Sequence, residues 1–253
     1  MTDSTTPEVS IVAVTAGTSE SSTTTRLASD ILTAAQTRAA QVGMRARIHL
    51  IDLKPLAQDI ATALGTGFHT DSLRAAQDAL GAADAAVLAT PVYKASYSGL
   101  FKSFLDVADD DIVTATPVVL AATAGTPRHG LVPDTDMRAL LSYMRAVIAP
   151  TTVFAATEDW ANPAALSSRV RRAAAELVAL VAAGIRPALI EAAGKDYTRT
   201  FNGSSRTAPG AAEEVDFSTD LMRLATGGRA AAPISAQRTR PHGDAPARGA
   251  RHP

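Results

Sequence analysis

Three stretches of the chain gather residues whose types and spacing could do chemistry. The first, Ala16-Gly17-Thr18-Ser19-Glu20-Ser21-Ser22-Thr23-Thr24-Thr25, separates the β-branched run Val9 to Thr15 from the helical pattern Leu27, Ile31, Ala34, Ala35. Gly17 permits a tight turn, and the hydroxyls supply helix caps and donors for an anion at a helix start. The stretch has neither the Gly-Lys-Ser/Thr of a Walker A loop nor the GxGxxG of a dinucleotide fingerprint. A phosphate monoester held by hydroxyls and backbone N–H groups fits this composition, and so does a plain capped helix in a Ser/Thr-rich turn. The second stretch, Thr90 to Gly99, follows the apolar run Ala85 to Ala89 and leads into Leu100, Phe101, Phe104 and Leu105, an amphipathic pattern. It offers backbone N–H groups, hydroxyls and the flat walls of Tyr93 and Tyr97. The third, Ala124-Gly125-Thr126-Pro127-Arg128-His129-Gly130, follows the run Thr116 to Thr123.

Other chemistries find no support. The chain has no cysteine, which excludes disulfides, thiolate metal sites, Fe–S clusters and a cysteine nucleophile. Its histidines, His49, His69, His129, His242 and His252, show no metal-ligand spacing. No G-x-S-x-G elbow is present, so Ser96 and Ser98 read as ligand hydroxyls or caps rather than nucleophiles. Lys102 is expected on the exposed side of its helix, and Lys94 at most touches a cofactor or nucleotide. His129 is either a site residue or a surface-loop histidine, and Trp160, the single tryptophan, reads as a packing or dimer-interface anchor ahead of a ring stack.

The elements that must position these stretches follow from hydrophobic period. Strands are expected at Val9–Thr15, Arg45–Leu53, Ala85–Ala89 (stopped by Thr90-Pro91), Thr116–Thr123 and Val147–Ala156. Helices are expected from Leu27 onward, at 71–83 with Asp71 or Thr70 as cap, after Ser98-Gly99, at 134–147 and at 164–183. Residues 56 to 68 read as an irregular connection with a short helical piece, and Glu158 and Asp159 as a turn capping the next helix. Alternation at this spacing means a parallel, doubly wound sheet. Ligands of such sheets sit at the carboxyl ends of the strands, where all three stretches fall. With 253 residues, 46% of them hydrophobic, and 24 basic against 25 acidic residues, the chain can build a substantial core. Its field points to neither nucleic acid nor membrane. No signal peptide is seen in the first residues, and the cytoplasm is the expected compartment.

The second stretch also resembles the signature P-x-Y-x-x-S-x-x-G-x-x-K-x-x-x-D of the NAD(P)H-dependent FMN reductase family. Pro91, Tyr93, Ser96, Gly99, Lys102 and Asp106 match it. The string TPVYKASYSGLFKSFLD is most similar to the flavin reductases that partner two-component, luciferase-like monooxygenases. The resemblance implies a flavodoxin-like three-layer α-β-α sandwich with a five-stranded parallel sheet. It also implies FMN and NAD(P)H as cofactors, no metal, a homodimer or homotetramer, and a monooxygenase as possible partner. Thr18, Ser19, Thr23, Thr24 and Thr25 would then hold the phosphate. Pro91, Val92, Tyr93, Lys94 and Ser96 would flank ribityl and ring, and Thr123, Ala124, Gly125, Thr126 and His129 would face the pyrimidine end.

That resemblance implies hydride transfer from NAD(P)H to FMN, with the reduced flavin passed on. Two alternatives remain open: an FMN-containing quinone or azo reductase, and a flavodoxin-like electron carrier. The carrier fits less well, because Lys94, Arg128 and His129 stand where carriers usually place acidic residues and aromatics. The expected organisation is a flexible N-terminus (1–8), an FMN-binding domain (9–184) and an extension (185–224) with one short helix near Val215–Leu224. A disordered basic tail (225–253) carries Arg229, Arg238, Arg240, Arg248 and Arg251.

Overall fold

The computed structural model describes residues 6–193. The expected helix near Val215–Leu224 and the arginine-rich tail lie outside the described residues. The strands are β1 (Glu8–Thr15), β2 (Arg45–Asp52), β3 (Ala85–Tyr93), β4 (Ser96–Tyr97), β5 (Pro117–Ala124), β6 (Val147–Ile148) and β7 (Val153–Ala156). The helices are α1 (Thr23–Gln41), α2 (Ala57–Thr66), α3 (Asp71–Gly81), α4 (Gly99–Asp106), α5 (Arg138–Tyr143), α6 (Pro163–Ala182) and α7 (Ile185–Ala193). The sheet runs β2-β1-β3-β5, with β6 and β7 both on the outer edge of β5. Its long pairs are all parallel. This is the flavodoxin-like order, with five strand positions.

The central strands are buried on both faces, which is why they read as unbroken apolar runs. On one face Val12, Val14, Leu88 and Leu120 pack against Ile60, Leu73, Phe101, Phe104 and Leu141 of α2 to α5. On the other, Ile11, Ala13, Val87 and Val119 pack against Leu27 and Ile31 of α1 and Val170 and Leu177 of α6. Fully buried Phe101 and Phe104 would each cost about 3–5 kcal/mol if cut to alanine. The exposed Arg47–Glu8 ion pair contributes about 0–1 kcal/mol. The core, not surface charge, holds the layers. No single helix among the described residues is long and apolar enough to cross a membrane.

The structure corrects several boundaries. β3 does not stop at Thr90-Pro91 but continues to Tyr93. Ala89 O accepts from Ala16 N, so the backbone groups of alternate residues face β1. Pro91 therefore turns its missing donor toward an edge that β1 has already left, and its fixed φ suits extended chain. The fifth strand is broken rather than continuous from Val147 to Ala156. Val147 pairs with Pro117 and Val153 with Ala121, so the offset grows from 30 to 32 and two residues around Pro150 bulge out.

The helix expected over 134–147 is a π-type turn at Pro133–Met137 followed by α5, which ends at Tyr143, and Val147 belongs to β6. Met137 and Leu141 are buried as expected, whereas Leu140 and Val147 are only half-buried. Residues 57–66 make a full helix, closed by Gly67 at φ 72°, and Thr70 rather than Asp71 caps α3.

A helix also forms at Ile185–Ala193, where the sequence shows no periodicity. What ties it down is Arg186, which donates to the carbonyls of Gly81 (3.0 Å) and Ala83 at the end of α3. Burial lowers its pKa from the ordinary value, with Asp84 and Asp111 opposing. It stays protonated even so. Arg186→Ala should lower unfolding free energy by about 1–3 kcal/mol in urea titrations, because two carbonyls lose a charged donor. An unchanged midpoint would mean that water replaces the guanidinium without cost.

Candidate functional site

The three polar stretches meet at the carboxyl edge of β1, β3 and β5. In the first, a Cβ on Gly17 would stand 1.8 Å from Ser22 Oγ and 2.7 Å from Ser22 Cβ. Glycine is what lets Ser22 close onto the turn and cap α1, its Oγ accepting from Thr25 N at 3.1 Å. Thr15 Oγ1 receives Gly17 N at 3.4 Å and lies 3.2 Å from Thr25 Oγ1. Thr18, Ser19 and Thr23 are exposed. Backbone bonding of α1 begins with Arg26 N to Ser22 O, so the amides of Thr23 and Thr24 have no acceptor among the described residues.

The second stretch is a hairpin. Val92 and Tyr93 pair antiparallel with Tyr97 and Ser96. The two residues between, Lys94 and Ala95, have φ 52° and 67°, the pattern of a type I′ turn made without glycine or asparagine. Each such residue stores about 1–2 kcal/mol of strain. Buried Ser98 caps α4: its N–H donates to Thr90 Oγ1 at 2.9 Å, and its Oγ accepts from Phe101 N at 3.2 Å. Lys102 pairs with Asp106 one turn on, so these two signature residues brace the helix. Tyr93, 49% exposed, reaches across to the first stretch, its hydroxyl 2.9 Å from Thr18 Oγ1.

The third stretch is tied to the first by Thr123 Oγ1, 2.6 Å from Thr24 Oγ1, with both side chains buried. Beyond it Ala124 is half-buried and Gly125 and Thr126 are exposed. A Cβ on Gly125 would meet nothing within 4 Å, so neither packing nor a positive φ demands glycine there. Half-buried His129 accepts from Arg128 Nε at 3.3 Å on Nε2. No cluster of metal-ligating side chains exists among the described residues.

Of the residues expected to bind, Thr18 and Tyr93 are thus brought into contact across the crevice, and Thr24 and Thr123 beneath it. Buried Pro91 and half-buried Val92 form its wall, Lys94 stands exposed at the hairpin tip, and Ser96 is half-buried beside it. Sequence reasoning missed the roles of the buried hydroxyls Thr15 and Thr90 and of half-buried Ser22, whose signal was only a threonine ending a strand and a Ser-x-x-Thr cap. It also missed that Arg26 lies over Trp160, 4.7 Å from the ring centre. The donor set fits a phosphorylated flavin: neutral hydroxyls and open amides at one end, exposed Gly125 and Thr126 at the other, and a tyrosine wall between.

Comparison with known proteins agrees with this geometry. The family model described as NADPH-dependent FMN reductase matches residues 9–161. The chain is similar to the NADH-dependent FMN reductase SfnE of Pseudomonas putida, 35% identical over 181 residues, covering 69% of this chain and 94% of that one. It is equally similar to an FMN reductase (NADPH) of Pseudomonas aeruginosa, 35% identical over 170 residues, covering 65% and 88%. Among solved structures, an oxidoreductase from Corynebacterium diphtheriae superposes with a TM-score of 0.67 at 44% identity, covering 70% of this chain and 98% of that one.

Two substitutions test the loop geometry. Gly17→Ala should cost more than the about 1 kcal/mol expected for Ser22→Ala, because it displaces the whole cap residue. Chemical denaturation of both variants gives the order, and equal losses would mean that the turn adapts. Ala95→Gly should stabilise the protein by up to about 1 kcal/mol by relieving a left-handed alanine. A lower melting temperature would contradict the strain.

Proposed function

The chain belongs to the NADPH-dependent FMN reductase family, and we propose that it uses FMN as an exchangeable substrate whose reduced form leaves for a separate flavin-dependent monooxygenase. It is an NAD(P)H-dependent FMN reductase, an oxidoreductase of flavodoxin-like fold. When bound, FMN supplies the chemistry, accepting hydride from the nicotinamide. The chain's own part is to bind, orient and shield two rings at reacting distance.

The observation that carries this reading is the pair of hydroxyl contacts, Thr18–Tyr93 and Thr24–Thr123, that join all three stretches around one crevice. In this reading the phosphate sits on the hydroxyls of Thr18, Ser19 and Thr23 and the amides of Thr23 and Thr24. The Thr24 hydroxyl is engaged by Thr123, so Thr24 contributes its N–H. Thr25 braces the turn through Thr15. Pro91, Val92, Tyr93, Lys94 and Ser96 flank the ribityl chain and ring. Amides of Ala124, Gly125 and Thr126, with His129 nearby, face the pyrimidine end, where negative charge grows on reduction. Exchange is supported by the contact that spans the crevice between Thr18 and Tyr93, a single bond between exposed hydroxyls. The names of the Pseudomonas relatives support both nucleotides, NADH for one and NADPH for the other.

We further propose a homodimer or homotetramer acting in the cytoplasm, where the pyridine nucleotides are. Exposed Leu131, ahead of the π-type turn, and Tyr143, at the end of α5, offer apolar surface that self-association would cover. The test follows nicotinamide absorbance in air while FMN is varied with NADH or NADPH. Saturable oxidation that requires added FMN is the expected result, and the better nucleotide identifies the coenzyme. Oxidation without added FMN, by protein that retains flavin through purification, would replace the exchangeable-substrate reading with the quinone or azo reductase one.

A further inference from the structure

Gly17 to Thr25 contains a single ionisable residue, and it is acidic: Glu20. A phosphate monoester held there by hydroxyls and amides alone would be a dianion without a countercharge. The nearest cation in the chain is Arg26, one residue further on. Helical side chains lean toward the N-terminus, and this one leans onto Trp160, its guanidinium carbon 4.7 Å from the ring centre. Trp160 ends the short 3-10 turn that follows β7, beyond the level at which Ala156 pairs with Ala124. Ala124 follows Thr123, so the turn that carries Trp160 leaves the sheet at the carboxyl edge where Thr123 holds Thr24. Arg26 has no ion pair among the described residues. An arginine held over a π face can still offer N–H groups to a charged acceptor. The pair forms the upper end of a groove of about 630 Å³ between α1 and α6, in which Asp30, one turn below, is the acidic neighbour.

We propose that Arg26, held by Trp160, is the specificity-determining cation of this reductase: it pairs with the flavin's phosphate monoester and makes the enzyme prefer FMN to riboflavin. This rests on the FMN-reductase reading above. Trp160 is a positioning residue in the scheme. Stacking limits the conformations of a long, exposed side chain, so less freedom is lost when the phosphate arrives.

The test compares equilibrium affinities, which do not depend on turnover. Trp160, the single tryptophan, is quenched by energy transfer to any isoalloxazine bound at this edge, so titration yields dissociation constants for FMN and for riboflavin. Wild-type protein should bind FMN more tightly than riboflavin, and inorganic phosphate should compete with FMN but not with riboflavin. Arg26→Ala should weaken FMN roughly 10- to 100-fold, the worth of a charge-assisted pair, and riboflavin far less, so that the preference collapses. Arg26→Lys, which keeps charge without the planar fork, should recover part of it. If Arg26→Ala keeps the wild-type FMN-to-riboflavin ratio, or instead changes the ratio of KM values for NADPH and NADH, the assignment is wrong while the reductase reading stands. If wild-type protein binds neither flavin, both fail together.

Discussion

Each of the three central strands reaches the carboxyl edge of the sheet in a buried threonine, and each threonine holds a hydroxyl from the start of a helix. Thr15 meets Thr25 on α1, Thr90 meets Ser98 at the cap of α4, and Thr123 meets Thr24 on α1. All three threonines are 4% exposed or less. The constraint behind this is the burial of β1, β3 and β5 on both faces, which leaves no water for a polar group at the strand ends. A hydroxyl placed there must find a partner, and the partners at hand are the helix starts that the same chain turns into. The polar loops are thereby tied down at their roots and left free at their tips.

The magnitudes explain why such a site can be both ordered and open. One neutral hydrogen bond contributes about 0.5–1.5 kcal/mol net, but an unsatisfied buried group costs about 1–3 kcal/mol. The buried pairs are therefore hard to break, while the exposed Thr18–Tyr93 contact is not. Water can replace either hydroxyl of that pair. At the tip of the second loop the order is reversed. Lys94 and Ala95 hold strained left-handed conformations, and only two residue pairs of β4 oppose that strain. The strain persists because Ser98, buried and doubly bonded below it, fixes where the hairpin must return.

The sheet was legible because its information lies in composition: Val9–Thr15, Ala85–Ala89 and Thr116–Thr123 are mainly apolar, with their few hydroxyl residues toward the ends, as burial on both faces requires. Strand ends were less so. Proline at 91 reads as a stop, and becomes permissible only once β1 is known to end two residues earlier. The helix over 134–147 was misjudged because Met137, Leu141 and Met144 keep a helical period through a π-type turn, which shifts hydrogen bonds without erasing the stripe. α7 left no trace in periodicity because Arg186, a charged residue, anchors it. In the site, the loops and their hydroxyls were visible, but which hydroxyls face a ligand and which face each other was not. Thr23, Thr24 and Thr25 are consecutive and chemically identical, and only the helix phase separates them.

The signature of the second stretch looks like a list of ligands, yet most of it serves the scaffold. Pro91 carries β3 past the end of β1 while still pairing with Thr123, the Lys102–Asp106 pair braces α4, and the serine that caps α4 is Ser98, outside the signature positions. Beside the wall that Pro91 forms, Tyr93 and Ser96 are the signature positions that stand at the crevice. This division follows from the chemistry. Hydride passes between two cofactors, so the reaction calls for no nucleophile, metal or proton relay from the protein. What the protein must supply is a rigid edge with small residues, amides and hydroxyls at set heights. A sequence can specify that edge only through the turns, caps and braces that build it.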